Sequence, residues 1–154
     1  YWKDAAAPQE KGNNPWLKEG VEIIETQRDG QPKCTVFKIG PVLQPVICAM
    51  SLVVATIAKS GTAVIFDHVI HDQSMYEDCE RDFGELSVVK IGVTCPIEVL
   101  EKREIERGDR ILGLARGLHG VVHRFCDYDV TIDTSNETVE QSVLKIENYL
   151  KHLG

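Results

Sequence analysis

Closely spaced pairs of cysteines are missing from this sequence. It has five cysteines among 154 residues, an odd number, and no two of them form a CxxC pair. Most of them lie within apolar runs. A disulfide framework or a structural zinc site is therefore not expected, and a reducing compartment, the cytoplasm, is the predicted location.

Basic charge is also scarce. The chain has 17 lysine and arginine residues against 24 aspartate and glutamate residues, which gives a net charge of −7. Proteins that bind nucleic acids obtain much of their affinity from cations that neutralise phosphates. The charge balance therefore disfavours a nucleic-acid partner, although it is compatible with a local basic site.

Long hydrophobic runs are few. The longest candidate, residues 42–58, is short for a membrane span and contains Gln44 and Pro45 near its start. We therefore expect a core helix at about 42–59, apolar on most faces and covered on both sides, and no membrane association. The first residues have no signal-peptide pattern. Because the sequence opens with Tyr1 instead of Met, we expect its start to be an internal cut.

Turn residues divide the chain into alternating elements. Residues 1–19 are polar and rich in turn formers, so they are expected to be irregular. Two β-prone runs, 21–26 and 35–39, flank an Asp-Gly turn and predict a β-hairpin. Beyond the helix at 42–59, strands are predicted at 62–66, 86–93 and 128–132, and helices at about 72–83, 96–106, 110–124 and 137–150. This alternation predicts one α/β domain with a parallel sheet.

A glycine-rich phosphate loop is absent from residues 1–154. The pattern GxxxxGK[ST] occurs nowhere. The nearest imitation, Lys59-Ser60-Gly61, follows a predicted helix instead of joining a strand to a helix, and it lacks the glycines of the loop. Backbone N–H groups cannot surround a phosphate in that setting.

Arginines are concentrated between residues 103 and 110. On a helix, Arg103, Arg107 and Arg110 would share one face, and Gly108 would break or bend that helix. Three guanidinium groups on a mobile face suit a clamp for phosphoryl oxygens. A solvated charged helix, with the intervening glutamates as ion-pair partners, explains the same spacing.

Polar turns follow two of the predicted strands. Asp67 ends the run 62–66, and ligands of open α/β sheets bind beyond the carboxyl ends of strands, so Asp67 is a candidate for Mg²⁺ or its water shell. A turn or helix-capping carboxylate is the alternative. The turn at 133–136 favours a helix cap with Thr134 or Ser135 as the capping residue, which is compatible with a ligand loop.

Histidines offer weaker metal sites. Asp67-His68 with His71-Asp72 matches no common zinc spacing. His119 and His123 have the four-residue spacing of two helical ligands but lack the intervening glutamate of a metalloprotease pair. Packing or surface roles are favoured for both.

Taken in order, these pieces resemble the chloramphenicol phosphotransferase-like family. The resemblance covers roughly residues 20–150, and it is specific as an ordered set although each piece alone is weak. It is carried by 63–69, 88–95, Arg103-Glu104, Arg107-Gly108-Asp109-Arg110, Gly113-Leu114-Ala115, Val121-Val122-His123, Tyr128-Asp129 and Asp133-Thr134. Ile39-Gly40-Pro41 resembles the start of the family's third helix, and the hairpin before it resembles a substrate-side insertion.

The resemblance implies an adenylate kinase-like P-loop kinase fold. In this family, ATP with Mg²⁺ phosphorylates a hydroxyl group of a small-molecule acceptor. By position, Arg107 and Arg110 would be arginines of a lid at about residues 103–116 that contact the triphosphate, with Arg103 beside them.

Further site residues are implied by the same match. Asp67 would lie by the Mg²⁺-phosphate site, and Thr134 and Ser135 would lie near the adenine. The family's phosphate loop and its general base belong to an earlier segment, and Asp4 lies too far downstream to be that base.

The missing loop has a consequence for the sheet. In the family, the strand that precedes the loop lies between the strands matching 62–66 and 86–93. Its removal would leave two unpaired strand edges, and unpaired buried backbone groups are costly. We therefore expect that the first strands and the phosphate loop were removed from this sequence by truncation or proteolysis, in preference to a natural loss.

Three functional hypotheses follow. The first is an ATP- and Mg²⁺-dependent O-phosphotransferase acting on a small molecule, with residues 1–154 inactive on their own. The second is a non-catalytic binding relative that truly lacks the phosphate loop. The third is a toxin-type kinase with the same ATP chemistry that phosphorylates a nucleotide sugar.

Overall fold

The computed structural model describes residues 21–27, 30 and 32–153. The predicted irregular segment 1–19 lies outside the described residues. The described part is a mixed α/β structure with five helices and two small sheets.

The first sheet is the predicted hairpin. Strand β1 (Val21–Thr26) pairs antiparallel with β2 (Cys34–Ile39), in a register that aligns Val21 with Ile39. Gly30 lies in the turn with φ of +73°, a conformation that glycine adopts without steric cost. The prediction of a hairpin is confirmed.

Helix α1 (Gln44–Lys59) forms where the sequence predicts it, but it is not covered on both sides. Only Ser51 and Ala55 of the helix are buried, and Ser51 donates a 2.6 Å hydrogen bond to Asp82 on the next helix. Apolar side chains on its other faces are exposed, Val46 by 58% and Val53 by 56%. The expectation of a helix buried all round is wrong for the described residues. Among them, no helix is both long and apolar enough to cross a membrane.

Helix α2 (Gln73–Phe83) is amphipathic, as predicted. Its N-terminus is capped by Asp72, whose carboxylate accepts a 3.0 Å hydrogen bond from the Met75 amide. Met75 and Cys79 on the inner face are buried. The helix packs on α1.

The second sheet is parallel but smaller than predicted. Strand β3 (Ile91–Thr94) pairs with β4 (Val130–Asp133), so that Thr94 and Asp133 lie side by side at the carboxyl edge. The predicted strand at 86–93 begins only at Ile91. Within the described residues, this sheet has two strands instead of the three predicted.

Residues 62–66 do not form the predicted strand. No backbone hydrogen bond within the described part of the chain joins them to another segment, and Ile65 is 99% exposed. A strand requires a neighbour that pairs with its backbone, and these residues have none there. The apolar pattern alone therefore gave a wrong prediction.

Three helices complete the described structure. Helix α3 (Ile97–Arg107) follows Pro96, α4 (Leu114–His119) is much shorter than the predicted 110–124, and α5 (Val139–Leu153) closes the chain. Helices α3 and α4 pack together, α4 also packs on β2, and α5 packs on β4. The coarse prediction of an α/β fold with a parallel sheet is confirmed.

Candidate functional site

The carboxyl edge of the parallel sheet continues into a tightly bonded turn. The Thr94 carbonyl accepts hydrogen bonds from the Thr134 amide at 3.0 Å and from the Thr134 hydroxyl at 3.2 Å. Asp133 accepts bonds from the Ser135 amide and hydroxyl at 2.9 and 2.6 Å. Hydrogen bonds from Ser135, with a further one from Asn136, hold the pKa of Asp133 below its ordinary value.

The turn is not the helix cap that the sequence predicts. Helix α5 begins later, and its first residues form a reciprocal pair: the Thr138 hydroxyl accepts a 3.3 Å bond from the Gln141 amide, and the Gln141 side chain accepts a 2.8 Å bond from the Thr138 amide. This is a capping box, which the spacing Thr138-x-x-Gln141 could have indicated. Thr134 and Ser135 therefore shape the loop and do not cap the helix.

Arg103 is bound to this turn. Its guanidinium group donates a 3.0 Å hydrogen bond to the Thr134 hydroxyl and a 2.7 Å bond to the Thr134 carbonyl. A third contact reaches the sulfur of Cys95 at 3.6 Å. The structure thus brings together Arg103 and Thr134, two of the predicted cofactor residues, but it joins them to each other.

Only one of the remaining two arginines shares a helix face with Arg103. Arg107 lies four residues after Arg103 within α3, whereas Arg110 does not lie on this helix. Helix α3 ends at Arg107, Gly108 takes a left-handed conformation with φ of +66°, and Arg110 lies beyond it in a bend. The prediction of one helical face with three arginines is wrong for this reason. Arg107 and Arg110 are exposed, and neither forms an ion pair with any residue that the structure describes.

Glu104 fixes the far end of the loop that follows α3. This loop, residues 108–112, carries Arg110 and is called the arginine loop below. The Glu104 side chain is buried, and its two carboxylate oxygens accept bonds from the Gly113 amide at 2.7 Å and from the Ala115 amide at 2.8 Å. The alternative of a solvated charged helix would make Glu104 an ion-pair partner of the arginines. Its actual partners are backbone groups 9 and 11 residues away, and no local pattern points to them.

A second link joins the same two helices. Arg116 on α4 donates a 2.6 Å hydrogen bond from Nε to the Glu101 carboxylate on α3. The segment of residues 103–116, called the lid segment below, is therefore bonded at its start to the turn after β4 and at its end to Glu101 of α3.

Asp67 lies apart from these contacts. It is exposed, and the neighbouring His68 ring stacks on Phe66 with ring centroids 4.8 Å apart. Burial and the nearby His71 lower the pKa of His68, against the opposing effect of Asp67. Among the described residues, no group of three or more His, Cys, Asp or Glu side chains could hold a metal ion.

His119 and His123, whose spacing would suit two helical metal ligands, do not share a helix. Helix α4 ends at His119, and His123 lies beyond it, with Nδ1 2.8 Å from the Tyr128 hydroxyl. The Tyr128 ring covers Gly92, where an added Cβ would lie 2.5 Å from the ring. His123 therefore takes part in packing at the start of β4.

Residues 5–151 match the family described as chloramphenicol phosphotransferase-like protein. The chain belongs to this family. The α/β fold and the exposed arginine loop agree with a phosphotransferase at the level of the family.

Two curated proteins of Mycobacterium tuberculosis are similar to this chain. They are MT2714 of strain CDC 1551 and Rv2636 of strain H37Rv, both named provisionally as O-phosphotransferases. Each is 31% identical over 115 residues, which is 75% of this chain and 51% of the relative. The chain thus spans about half the length of the curated relatives it matches.

Proposed function

We propose that the intact protein is an ATP- and Mg²⁺-dependent O-phosphotransferase that phosphorylates a hydroxyl group of a small molecule. One observation carries the proposal. In a member of this family, the end of α3 and the loop held in place by the buried Glu104 present two exposed guanidinium groups, Arg107 and Arg110, that have no carboxylate partner among the described residues.

These two arginines fit the phosphates of ATP. Phosphoryl transfer asks little covalent chemistry of the protein, so catalysis depends on positioning and on charge stabilisation. Planar guanidinium groups can donate to two phosphate oxygens at once. Arg107 and Arg110 would bind the triphosphate and offset the charge on its oxygens during transfer.

Arg103 fits a different role. Its donors already bind Thr134 and Cys95, so a phosphate would have to displace these bonds. We assign Arg103 to holding the turn after β4 in place. The hydroxyl groups of Thr134 and Ser135 are likewise engaged, so hydrogen bonds from them to an adenine would also have to displace bonds within the turn.

Asp67 could contribute to a site in which Mg²⁺ is bound mainly by waters and substrate phosphates. Mg²⁺ in nucleotide sites keeps several waters and binds through one or two carboxylates plus substrate phosphates. One exposed carboxylate from this part of the chain is therefore enough for a site of this kind. The ion would neutralise phosphate charge, and Asp67 would orient its water shell.

The second edge of β3 supports a further strand that would come from outside the described residues. Within them, β3 pairs only with β4, and its side chains Ile91 and Val93 are 37% and 55% exposed. Ile65 is also fully exposed in the segment predicted as a strand. We propose that another strand of the intact protein lies between these segments and carries the phosphate loop, while the general base comes from the same region.

The test is a phosphotransfer assay of the intact protein with ATP, Mg²⁺ and a panel of hydroxylated small molecules and nucleotide sugars, followed by ³¹P NMR of the products. We expect a phosphate monoester on a small-molecule acceptor. Transfer to nucleotide sugars alone would support the toxin-type kinase. Absence of both ATP binding and transfer would support the non-catalytic relative and reject the proposal.

A further inference from the structure

The hairpin and the lid segment are joined by Thr35 on β2. Thr35 is fully buried, at 0% exposure. Its amide donates a 2.9 Å hydrogen bond to the Gly113 carbonyl, and its hydroxyl donates a 2.8 Å bond to the Leu112 carbonyl. One residue of the hairpin therefore binds two consecutive carbonyl groups of the lid segment.

The two backbones approach each other so closely that only glycine fits. Gly113 has φ of +91°, and a Cβ there would lie 2.5 Å from the Lys33 carbonyl oxygen. A Cβ on Gly117 would lie 2.0 Å from the Thr35 carbonyl oxygen. Contacts below about 3 Å to a backbone atom require the backbone to move. These two glycines therefore permit the close contact between β2 and the lid segment, which is called the joint below.

Glu104 binds the peptide group between Leu112 and Gly113 from the opposite side, and it also binds the Ala115 amide. It accepts from the amides of Gly113 and Ala115, while Thr35 donates to the carbonyls of Leu112 and Gly113. The stretch 108–112 has no helix or strand of its own. Its course is therefore set by the end of α3 and by this joint, and Arg110 lies only two residues before Leu112.

We propose that Thr35 is a positioning residue that, through its bonds to Leu112 and Gly113, holds Arg110 where it binds the phosphates of ATP. This role rests on the proposed function. The family resemblance implies that the hairpin is a substrate-side insertion. The role of Thr35 gives the hairpin a part in ATP binding as well.

The first test removes only the hydroxyl group. Thr35→Val keeps the branched shape and leaves the Leu112 carbonyl without its donor, and we expect ATP affinity measured by calorimetry to fall about tenfold. Thr35→Ser keeps the donor and should restore most of the affinity. Thr56→Val is the matched control, because the Thr56 hydroxyl also donates to a carbonyl, that of Leu52 at 2.8 Å, but on the exposed face of α1.

A double-mutant cycle separates positioning from general damage. If Thr35 acts through Arg110, Thr35→Val should weaken ATP binding far less in an Arg110→Ala background than in the wild type. Independent, additive losses would overturn the proposal, and so would wild-type affinity in a folded Thr35→Val variant.

A second pair of variants approaches the joint from the lid side. Gly117→Ala introduces the clash with the Thr35 carbonyl and should reproduce the loss of ATP affinity. Gly120→Ala is its control, because the nearest atom to a Cβ there, at 3.7 Å, is the end of the Arg124 side chain. This pair keeps the proposal testable if Thr35→Val does not fold, and unchanged affinity in Gly117→Ala would then overturn it.

Hydrogen exchange supplies a readout that needs no ATP. Thr35→Val should speed exchange at the Gly113 and Ala115 amides while leaving β3 and β4 unchanged. A wild-type protein that binds no ATP would end both the proposed function and this role for Thr35. Faster exchange in the variant would still show that Thr35 holds the lid segment. Failure of the proposed function can therefore be distinguished from failure of the structural link.

Discussion

A single buried carboxylate organises the arginine loop. Glu104 could not be assigned from the sequence, because its partners are the amides of Gly113 and Ala115, and their positions depend on the left-handed turns at Gly108 and Gly113. The sequence does contain those glycines, and it predicts a break at Gly108. It does not predict which side chain satisfies the amides that follow the break.

Asp72 allows a test of helix capping together with its pH dependence. Burial raises the pKa of Asp72, but hydrogen bonds from the Met75 amide and the Ser74 hydroxyl outweigh that effect, so its pKa lies below the ordinary value. A lowered folded-state pKa contributes stability above the unfolded value of about 4, and this contribution is lost as the pH falls through the folded value.

We expect Asp72→Ala to lower the free energy of unfolding at pH 7 by about 1 kcal/mol, measured by urea denaturation. The difference from the wild type should shrink between pH 5 and pH 2, roughly the range in which the wild-type carboxylate is protonated. Asp72→Asn, which retains a capping oxygen without charge, is the control and should stay close to the wild type at pH 7. A difference that is constant with pH would contradict the assignment of the cap to the carboxylate.

At the scale of helices and strands, the sequence predicts the first three helices better than the strands of the parallel sheet. The bounds of α1, α2 and α3 lie within two residues of the predicted ones, because a helix forms its hydrogen bonds within its own segment. The run 62–66 is as apolar as a buried strand but has no pairing neighbour among the described residues. Strand formation depends on a partner that the local pattern cannot supply.

The link between α3 and the turn after β4 gives a prediction at this scale. Arg103→Ala should lower the free energy of unfolding by about 2 kcal/mol, because it removes two charge-assisted hydrogen bonds to Thr134. Arg107→Ala, one helical turn later and exposed, should change it by no more than about 0.5 kcal/mol. Equal stability of the two variants in urea would show that the Arg103 contacts contribute nothing to the fold.

At the scale of the whole molecule, the ordered set of motifs predicts the family correctly. The match over residues 5–151 confirms that prediction. The connection between the hairpin and the lid segment was not predicted, because Thr35 and Leu112 are 77 residues apart. Neither residue has a local sequence feature that indicates this contact.

The molecule also exposes more apolar surface than its sequence predicts. Three apolar side chains, those of Val53, Ile65 and Val93, are more than half exposed in the described part of the chain. Val53 lies on the helix expected to be buried, and Ile65 lies in the segment expected to be a strand. Val93 lies on β3, whose second edge has no partner among the described residues. This distribution agrees with the proposal that a further strand of the intact protein completes the sheet.

The most direct test of the account is the effect of Arg110→Ala on ATP-dependent phosphotransfer by the intact protein. We expect kcat/KM to fall at least about 100-fold, because the guanidinium group stabilises charge on the phosphoryl oxygens. Arg124→Ala, which removes an exposed arginine outside the lid segment, should retain wild-type activity, and both variants should unfold at wild-type urea concentrations. Undiminished turnover in a folded Arg110→Ala variant would contradict the account.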